Sequence, residues 1–287
     1  MVALDVEAVD YERYSNRQLA AGPLAVLVLA LLVIAGWYAV TGAPVSPGIE
    51  FTGGVELRVQ TTGGPDAIQA AFDREPTAIR TVAGSADTYV VTFQITDLAE
   101  AQSLADRASG RGLDVLSTQS TSASFAESTQ QLAILGVVAA FVGMSVVVFL
   151  LFRTIVPSVA VVLSAFGDIV IPVALMDLLG IQLSLGTVAA LLMLIGYSVD
   201  SDILLTNHIL RRSGGFYEST YRAMQTGVTM TLTSLSAAIV MAIVATVFGV
   251  ELLASIGTVL AIGLATDLGN TYLLNFSLLR WYRGLDA

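Results

Sequence analysis

Six long apolar runs constrain this chain more than any other feature. A helix needs about 20 predominantly apolar residues to cross the hydrocarbon core of a bilayer. Leu19–Val40 qualifies and carries no charge. Leu132–Phe152, Ile155–Met176, Leu183–Asn207, Met224–Phe248 and Leu252–Leu279 follow as helices two to six. The first run exceeds the roughly 7–15-residue apolar core of a cleaved signal peptide, so it reads as an uncleaved anchor. Only 13% of the 287 residues are charged, against about a quarter in soluble domains. The expectation is a polytopic α-helical membrane protein. Its parts are a cytoplasmic N-terminal tail at 1–18, transmembrane helix one at 19–40 and an extracytoplasmic segment at 41–130. Helices two to six, short loops and a cytoplasmic C-terminus occupy 131–287.

Arginine placement sets the orientation, because basic residues near span ends stay cytoplasmic. With the N-terminus inside, Arg13, Arg17, Arg153, Arg211, Arg212, Arg222, Arg280 and Arg283 all fall on the cytoplasmic side. The short outer links, Asp177–Gln182 and Gly249–Glu251, contain no Arg. The other five Arg lie in 41–130, a segment long enough to be translocated whatever its charge.

The charge balance narrows the functional classes. There are 23 acids and 13 bases, and every base is Arg. Excess surface acid is a lever of halophiles, so a salt-adapted source is expected. A net charge of −10 argues against a nucleic-acid partner. The chain lacks Cys, which excludes disulfides, thiolate metal sites and a Cys nucleophile. No metal or cofactor is expected.

The 41–130 segment reads as a compact α+β unit. Gly48–Gln60 is strand-like, Pro65–Glu75 is helical with Pro65 at its start, and Thr77–Val82 and Thr88–Ile95 are short β-rich runs. Asp97 caps a second helix that stops near Gly110, and Leu113–Ser117 opens a last strand. The order β-α-β-β-α-β predicts a ferredoxin-like extracytoplasmic domain between helices one and two. It holds no grouping of nucleophile, base and orienting residue, so a binding or gating role is expected.

Acids at membrane depth are the functional candidates. Asp168 on helix three and Asp267 on helix six lie near the middle of their spans; Asp200 on helix four lies about 5–10 Å inward of its midpoint. A carboxylate at bilayer centre costs at least about 2.5–3.5 kcal/mol, so all three are expected to face the bundle interior. Asp200, Asn207 and Arg211 share one stripe of helix four; Asp202 and Thr206 form another. Asp202 lies nearer the inner surface, where water can solvate it, and the lone His208 reads as an interfacial residue. On helix six, Asp267, Asn270, Thr271 and Leu274 share a face. Helix five carries Thr226, Thr229, Thr233 and Ser236 at helical spacing, either glue between helices or part of a site. The candidate ion or proton relay is therefore Asp168, Asp200, Asp202, Asp267, Asn270, Thr229 and Thr233.

Two motifs point to a family. Gly48-Ile-Glu-Phe51-Thr-Gly53-Gly54, just after helix one, and Gly196-Tyr197-Ser198-Val-Asp-Ser-Asp202, on helix four, resemble signatures of the SecD/SecF proteins. Thr231–Leu235 and Ala265–Asn270 resemble the archaeal SecF branch, and the likeness runs end to end. The resemblance implies an accessory subunit of the Sec protein-export machinery, working with SecD, the Sec translocation channel and a translocating polypeptide in the cell membrane. It also implies a half-transporter of the resistance-nodulation-division kind. Bacterial relatives carry Asn-Asp where this chain has Asp200-Ser201, Asp-Arg at Asn207-His208, and an Arg where Thr229 stands. A proton relay through an acid–Arg set therefore does not transfer directly, and both H⁺ and Na⁺ remain open. A half-size ion-coupled exporter of small molecules is the alternative. An intramembrane aspartyl protease is disfavoured, because neither Asp200 nor Asp267 follows Gly-x-Gly.

Overall fold

The computed structural model describes residues 11–82, 85–95, 97–211 and 215–285; Arg212 and Ser213 lie outside the described residues. Six helices among these are long and apolar enough to cross a membrane. They are α1 (Asn16–Thr41), α5 (Ala123–Phe152), α6 (Ile155–Leu179), α7 (Leu185–Arg211), α8 (Phe216–Val247) and a final span. That span runs through α9 (Glu251–Gly269), a π-helical segment (Asn270–Asn275) and α10 (Phe276–Tyr282). Short helices α2 (Ile49–Thr52), α3 (Gly64–Ala71) and α4 (Leu98–Gly110) complete the set.

Local chemistry fixes the helix ends. Ser15 Oγ accepts from Gln18 N–H and the Gln18 side chain accepts from Ser15 N–H, a capping box that starts α1. Gly42 and Gly180 end α1 and α6 in the left-handed conformation. Pro172 sits inside α6. Lacking an N–H, it leaves the Asp168 carbonyl without its helical donor.

Between α1 and α5 lies one antiparallel sheet of β1 (Gly54–Gln60), β2 (Ala78–Thr81), β3 (Thr88–Phe93) and β4 (Asp114–Thr121), ordered β2-β3-β1-β4. Alternate residues Val55, Leu57 and Val59 of β1 and Tyr89, Val91 and Phe93 of β3 point to one face. Ile68 and Ala71 of α3 and Ala101, Leu104 and Ala108 of α4 cover that face. Residues 48–53 depart from the strand expectation. They form α2, closed by Gly53 at φ 70° and Gly54 at φ 118° before β1 begins. A Cβ on Gly54 would lie 2.5 Å from the Phe93 carbonyl oxygen, so only glycine fits there.

In the bundle, α6, α7 and α9 are central and α1, α5 and α8 flank them. Much of the surface of α5 is apolar and outward, including Leu132, Leu135 and Leu150, as a lipid-facing helix requires. Small residues let neighbouring helices approach. Gly257 of α9 faces the α8 backbone, where a Cβ would be 2.7 Å from Ala242 N. At the end of the bundle opposite the sheet, Arg280 is fully buried. Its guanidinium donates to Asn16 Oδ1, to the Tyr11 carbonyl at 2.9 Å and to the Tyr14 carbonyl at 2.7 Å. It thereby ties the last helix to the start of the first.

Candidate functional site

The polar residues of α6, α7 and the last span meet in the middle of the bundle. Asp168 is 1% exposed, Asp202 0% and Asp267 2%. Asp168 Oδ2 accepts from Ser198 Oγ at 2.6 Å and Oδ1 from Asn270 Nδ2 at 2.7 Å. Gly167 permits the second contact, since a Cβ there would lie 2.7 Å from Asn270 Nδ2. Asp267 lies within 2.9 and 3.0 Å of Ser201 Oγ and 3.2 Å of Thr271 Oγ1. Thr271 Oγ1 is also 2.9 Å from Asp202 Oδ1, which accepts from Asn275 Nδ2 at 2.8 Å. Thr271 thus links Asp267 to Asp202 and Ser201 bonds to both Asp267 and Thr271, whereas Asp168 is held beside them by Ser198 and Asn270. The π-helical segment carries Asn270, Thr271 and Asn275, and such segments recur at functional sites.

The donors are too few for three ionised carboxylates. Ser201 Oγ approaches the Ser198 carbonyl, both Asp267 oxygens and Thr271 Oγ1, yet it owns one hydrogen. No Arg or His donates to the three acids among the described hydrogen bonds and ion pairs. Uncompensated charge in a low-dielectric interior is very costly. Three ionised carboxylates with no compensating charge are therefore excluded from this interior. The described residues contain no group of three or more acids or His placed to hold a metal ion.

The two sides of this layer differ. Toward the terminal end, buried polar atoms lack partners: Asp202 Oδ2, Thr206 Oγ1, Asn275 Oδ1 and the Tyr272 hydroxyl. Ser164 Oγ approaches Asp202 without closing a hydrogen bond. Toward the sheet end, the packing is apolar. Leu194 lies one turn from Ser198, and Gly263 one turn from Asp267. A Cβ on Gly263 would lie 2.2 Å from Leu194 Cδ1, so Leu194 is seated in the notch that Gly263 leaves. Leu191, Val259, Leu260, Leu264 and Met176 pack around it.

Several expectations change. Asp200 does not face the interior; it is exposed on the outer face of α7, together with Gly196, Tyr197 and Asn207. Asp202, expected to be solvated, is the buried one. His208 is also buried, at 8% exposure, with Nδ1 2.8 Å from the Leu204 carbonyl. The α8 hydroxyls do not reach the acids. Thr229 donates to the Gln225 carbonyl at 2.7 Å, Thr233 to the Thr229 carbonyl at 2.6 Å and Ser236 to the Leu232 carbonyl at 2.8 Å, all local back-bonds. Ser198 of the second motif joins the cluster, whereas Gly196 and Tyr197 do not. Gly48, Phe51, Gly53 and Gly54 of the first motif form the junction between sheet and bundle. Ser201, Thr271 and Asn275 are not among the relay candidates read from the sequence, although Thr271 shares the Asp267 face there. Asn275 lies eight residues after Asp267, on the same helical face, and that spacing was its one signal.

Comparison with known proteins identifies the family. The family described as "Protein export membrane protein SecD/SecF, C-terminal" matches residues 102–284. The chain is 64% identical to the "Protein-export membrane protein SecF" of Haloferax volcanii, covering 99% of this chain and 98% of that protein. It is 60% identical to the protein of the same name from Haloquadratum walsbyi, at 99% and 98% coverage. Among solved structures, SecDF of Thermus thermophilus, described as a translocon-associated membrane protein, superposes with a TM-score of 0.71 at 21% identity. The match covers 93% of this chain but 38% of that one, so the chain spans well under half of SecDF. The chain belongs to the SecD/SecF family of protein-export membrane proteins. The acidic, lysine-free composition suits its haloarchaeal relatives.

Proposed function

We propose that the chain is an accessory membrane subunit of the Sec protein-export machinery, promoting passage of polypeptides across the cytoplasmic membrane. It acts with SecD and the Sec channel, driven by a gradient of H⁺ or Na⁺. The observation that carries this reading is identity of 64% and 60%, over nearly the whole chain, to proteins named for protein export. A small-molecule exporter has no comparable support.

Further parts of the reading rest on geometry. Arginine placement supports cytoplasmic termini, with the sheet unit outside. The order β2-β3-β1-β4, with two helices on one face, supports a ferredoxin-like module that handles the emerging polypeptide. Asp168, Asp202, Asp267 and Asn270 form the relay, since their carboxyls need shared protons or a cation. The unpartnered oxygens favour access from the cytoplasmic side, because buried polar groups find water or a ligand. The Leu194–Gly263 contact then closes the outer side. The exposed stripe of Asp200, Tyr197 and Asn207 faces SecD, because an acid at this depth is far too costly against lipid. Coverage of 38% of SecDF supports a second polypeptide supplying the remainder.

Affinity isolation from native membranes tests the assignment. A second polytopic protein of similar layout is expected to co-purify. Recovery of monomers that retain full export activity would refute it.

A further inference from the structure

The first motif lies far from the carboxyl cluster, yet it is joined to the helix that supplies Ser198, Ser201 and Asp202 to it. Ser46 N–H donates to Asp177 Oδ1 at 2.9 Å, at the end of α6. Leu183 N–H donates to the Ser46 carbonyl and Gly48 N–H to the Leu183 carbonyl, both at 2.8 Å, forming a short parallel bridge. Gly48 allows this approach, since a Cβ would sit 3.1 Å from the Leu183 carbonyl oxygen. Glu50 then reaches across from α2, and its Oε2 accepts from Leu185 N–H, the first residue of α7, at 2.6 Å.

Helix α7 does not need Glu50 as a cap. Ser184 and Thr187 already cap each other: Thr187 N–H donates to Ser184 Oγ at 3.1 Å, and Ser184 N–H to Thr187 Oγ1 at 2.7 Å. A carboxylate at a helix N-terminus is favoured by free N–H groups and by the helix dipole. Here that carboxylate belongs to another part of the fold, so the contact joins two bodies. On the sheet side, Gly53 and Gly54 hold α2 against Ala123 of α5 and Phe93 of β3, leaving little room for independent movement. Across the bundle the sheet unit is held at the α8–α9 link by Arg58, which donates to the Gly249 carbonyl at 3.0 Å and lies 3.8 Å from the exposed Glu251. Ser198 and Asp202 lie roughly 20 and 26 Å down α7 from Leu185 at helical rise. A helix this regular carries an axial shift at the cluster to its end.

We propose that Glu50 is a positioning residue that fastens the sheet unit to α7, so that movement of α7 at the carboxyl cluster is delivered to the outer module. This rests on the ion-coupled export reading above. The geometry assigns the Gly48–Gly54 motif a mechanical role, with glycine where backbones touch and one acid where the helix begins.

The test uses the full chain in its native membrane with its partners, and secretion of a reporter at matched membrane levels. Glu50→Ala should lower secretion on the order of tenfold or more, the scale of one lost charge-assisted hydrogen bond. Glu50→Gln, whose amide oxygen can still accept from Leu185 N–H, should recover most of the loss. The chain has no native Cys, so a Glu50→Cys/Leu185→Cys pair gives an independent arm that does not depend on the Ala variant folding. Secretion should be low with the pair reduced and restored by a short thiol cross-link. Wild-type secretion in Glu50→Ala, or a complete cross-link without recovery, overturns the proposal. Depletion of the chain separates the two readings. If depletion leaves secretion unchanged, the export reading fails; if depletion lowers secretion and the Glu50 variants do not, only the fastening fails.

Discussion

Asp202→Asn separates structure from chemistry in the carboxyl cluster. Asp202 Oδ1 accepts from Thr271 and Asn275, and an asparagine oxygen in the same place can keep both bonds. The new amide nitrogen replaces Oδ2, which has no partner, near Ser164, whose Oγ is likewise unpartnered. The hydrogen-bond count therefore does not fall. Interhelical hydrogen bonds in membranes average about 0.6 kcal/mol, so a change no larger than about that is expected for folding. The amide cannot ionise or exchange a carboxyl proton, so it removes Asp202 from the proposed relay. Reporter secretion at matched levels should fall severely while the detergent melting temperature moves little. Wild-type secretion would remove Asp202 from any ion site. A melting loss equivalent to about 3 kcal/mol or more would instead indicate a buried charge pair, the kind of loss seen when one partner is deleted.

Other expectations follow from single contacts. Gly263→Ala places a methyl against Leu194 and should cost about 1–3 kcal/mol by overpacking; adding Leu194→Ala should cost less than the two changes summed, measured by thermal unfolding in detergent. Asp200→Leu should weaken co-purification of the partner while leaving the isolated chain as stable as wild type; unchanged partner yield would contradict the assignment of that face. Burial and nearby Glu251 push the Glu56 carboxyl above its usual range, so the folded state holds its proton more tightly and stability is lost as pH rises past the usual carboxylate value. Glu56→Gln should therefore raise the melting temperature at neutral pH, with the gain shrinking toward acid pH. An impermeant thiol reagent on intact cells should label Asp87→Cys and not Glu218→Cys; the reverse would invert the orientation.

The spans were legible because an apolar run of this length has one stable use in a bilayer. Their ends were less so. Helix α5 begins at Ala123, nine residues before the apolar run, because Ser122 caps a polar extension that hydropathy does not register. Residues 48–53 carry Ile and Phe in a strand-like pattern, but the positive φ at Gly53 and Gly54 and the bridge to Leu183 decide otherwise. The acids of helix four illustrate a different limit. Two residues of helix amount to about 200° of rotation, so Asp200 and Asp202 had to face opposite ways. Which one faced inward was fixed only by Thr271 and Asn275 arriving from the last span. Those residues are 69 and 73 positions away, and no local pattern reports such a meeting.

The same helix unites the functional parts of the molecule. Its first residue takes the Glu50 carboxylate, its middle supplies Ser198, Ser201 and Asp202 to the cluster, and its opposite face exposes Tyr197 and Asp200. A rotation or axial shift of α7 would therefore change all three together. It would alter the Glu50 contact at its start, the hydrogen bonds of the carboxyl cluster at its middle, and the outward placement of Tyr197 and Asp200. Packed interfaces of this kind settle into discrete arrangements and do not deform smoothly. An ion that prefers one arrangement shifts the population by no more than its difference in affinity between the two. For ion binding to drive movement of the sheet unit, α7 must carry that difference from the carboxyls to Glu50, and each contact along it is already named by a residue that can be changed alone.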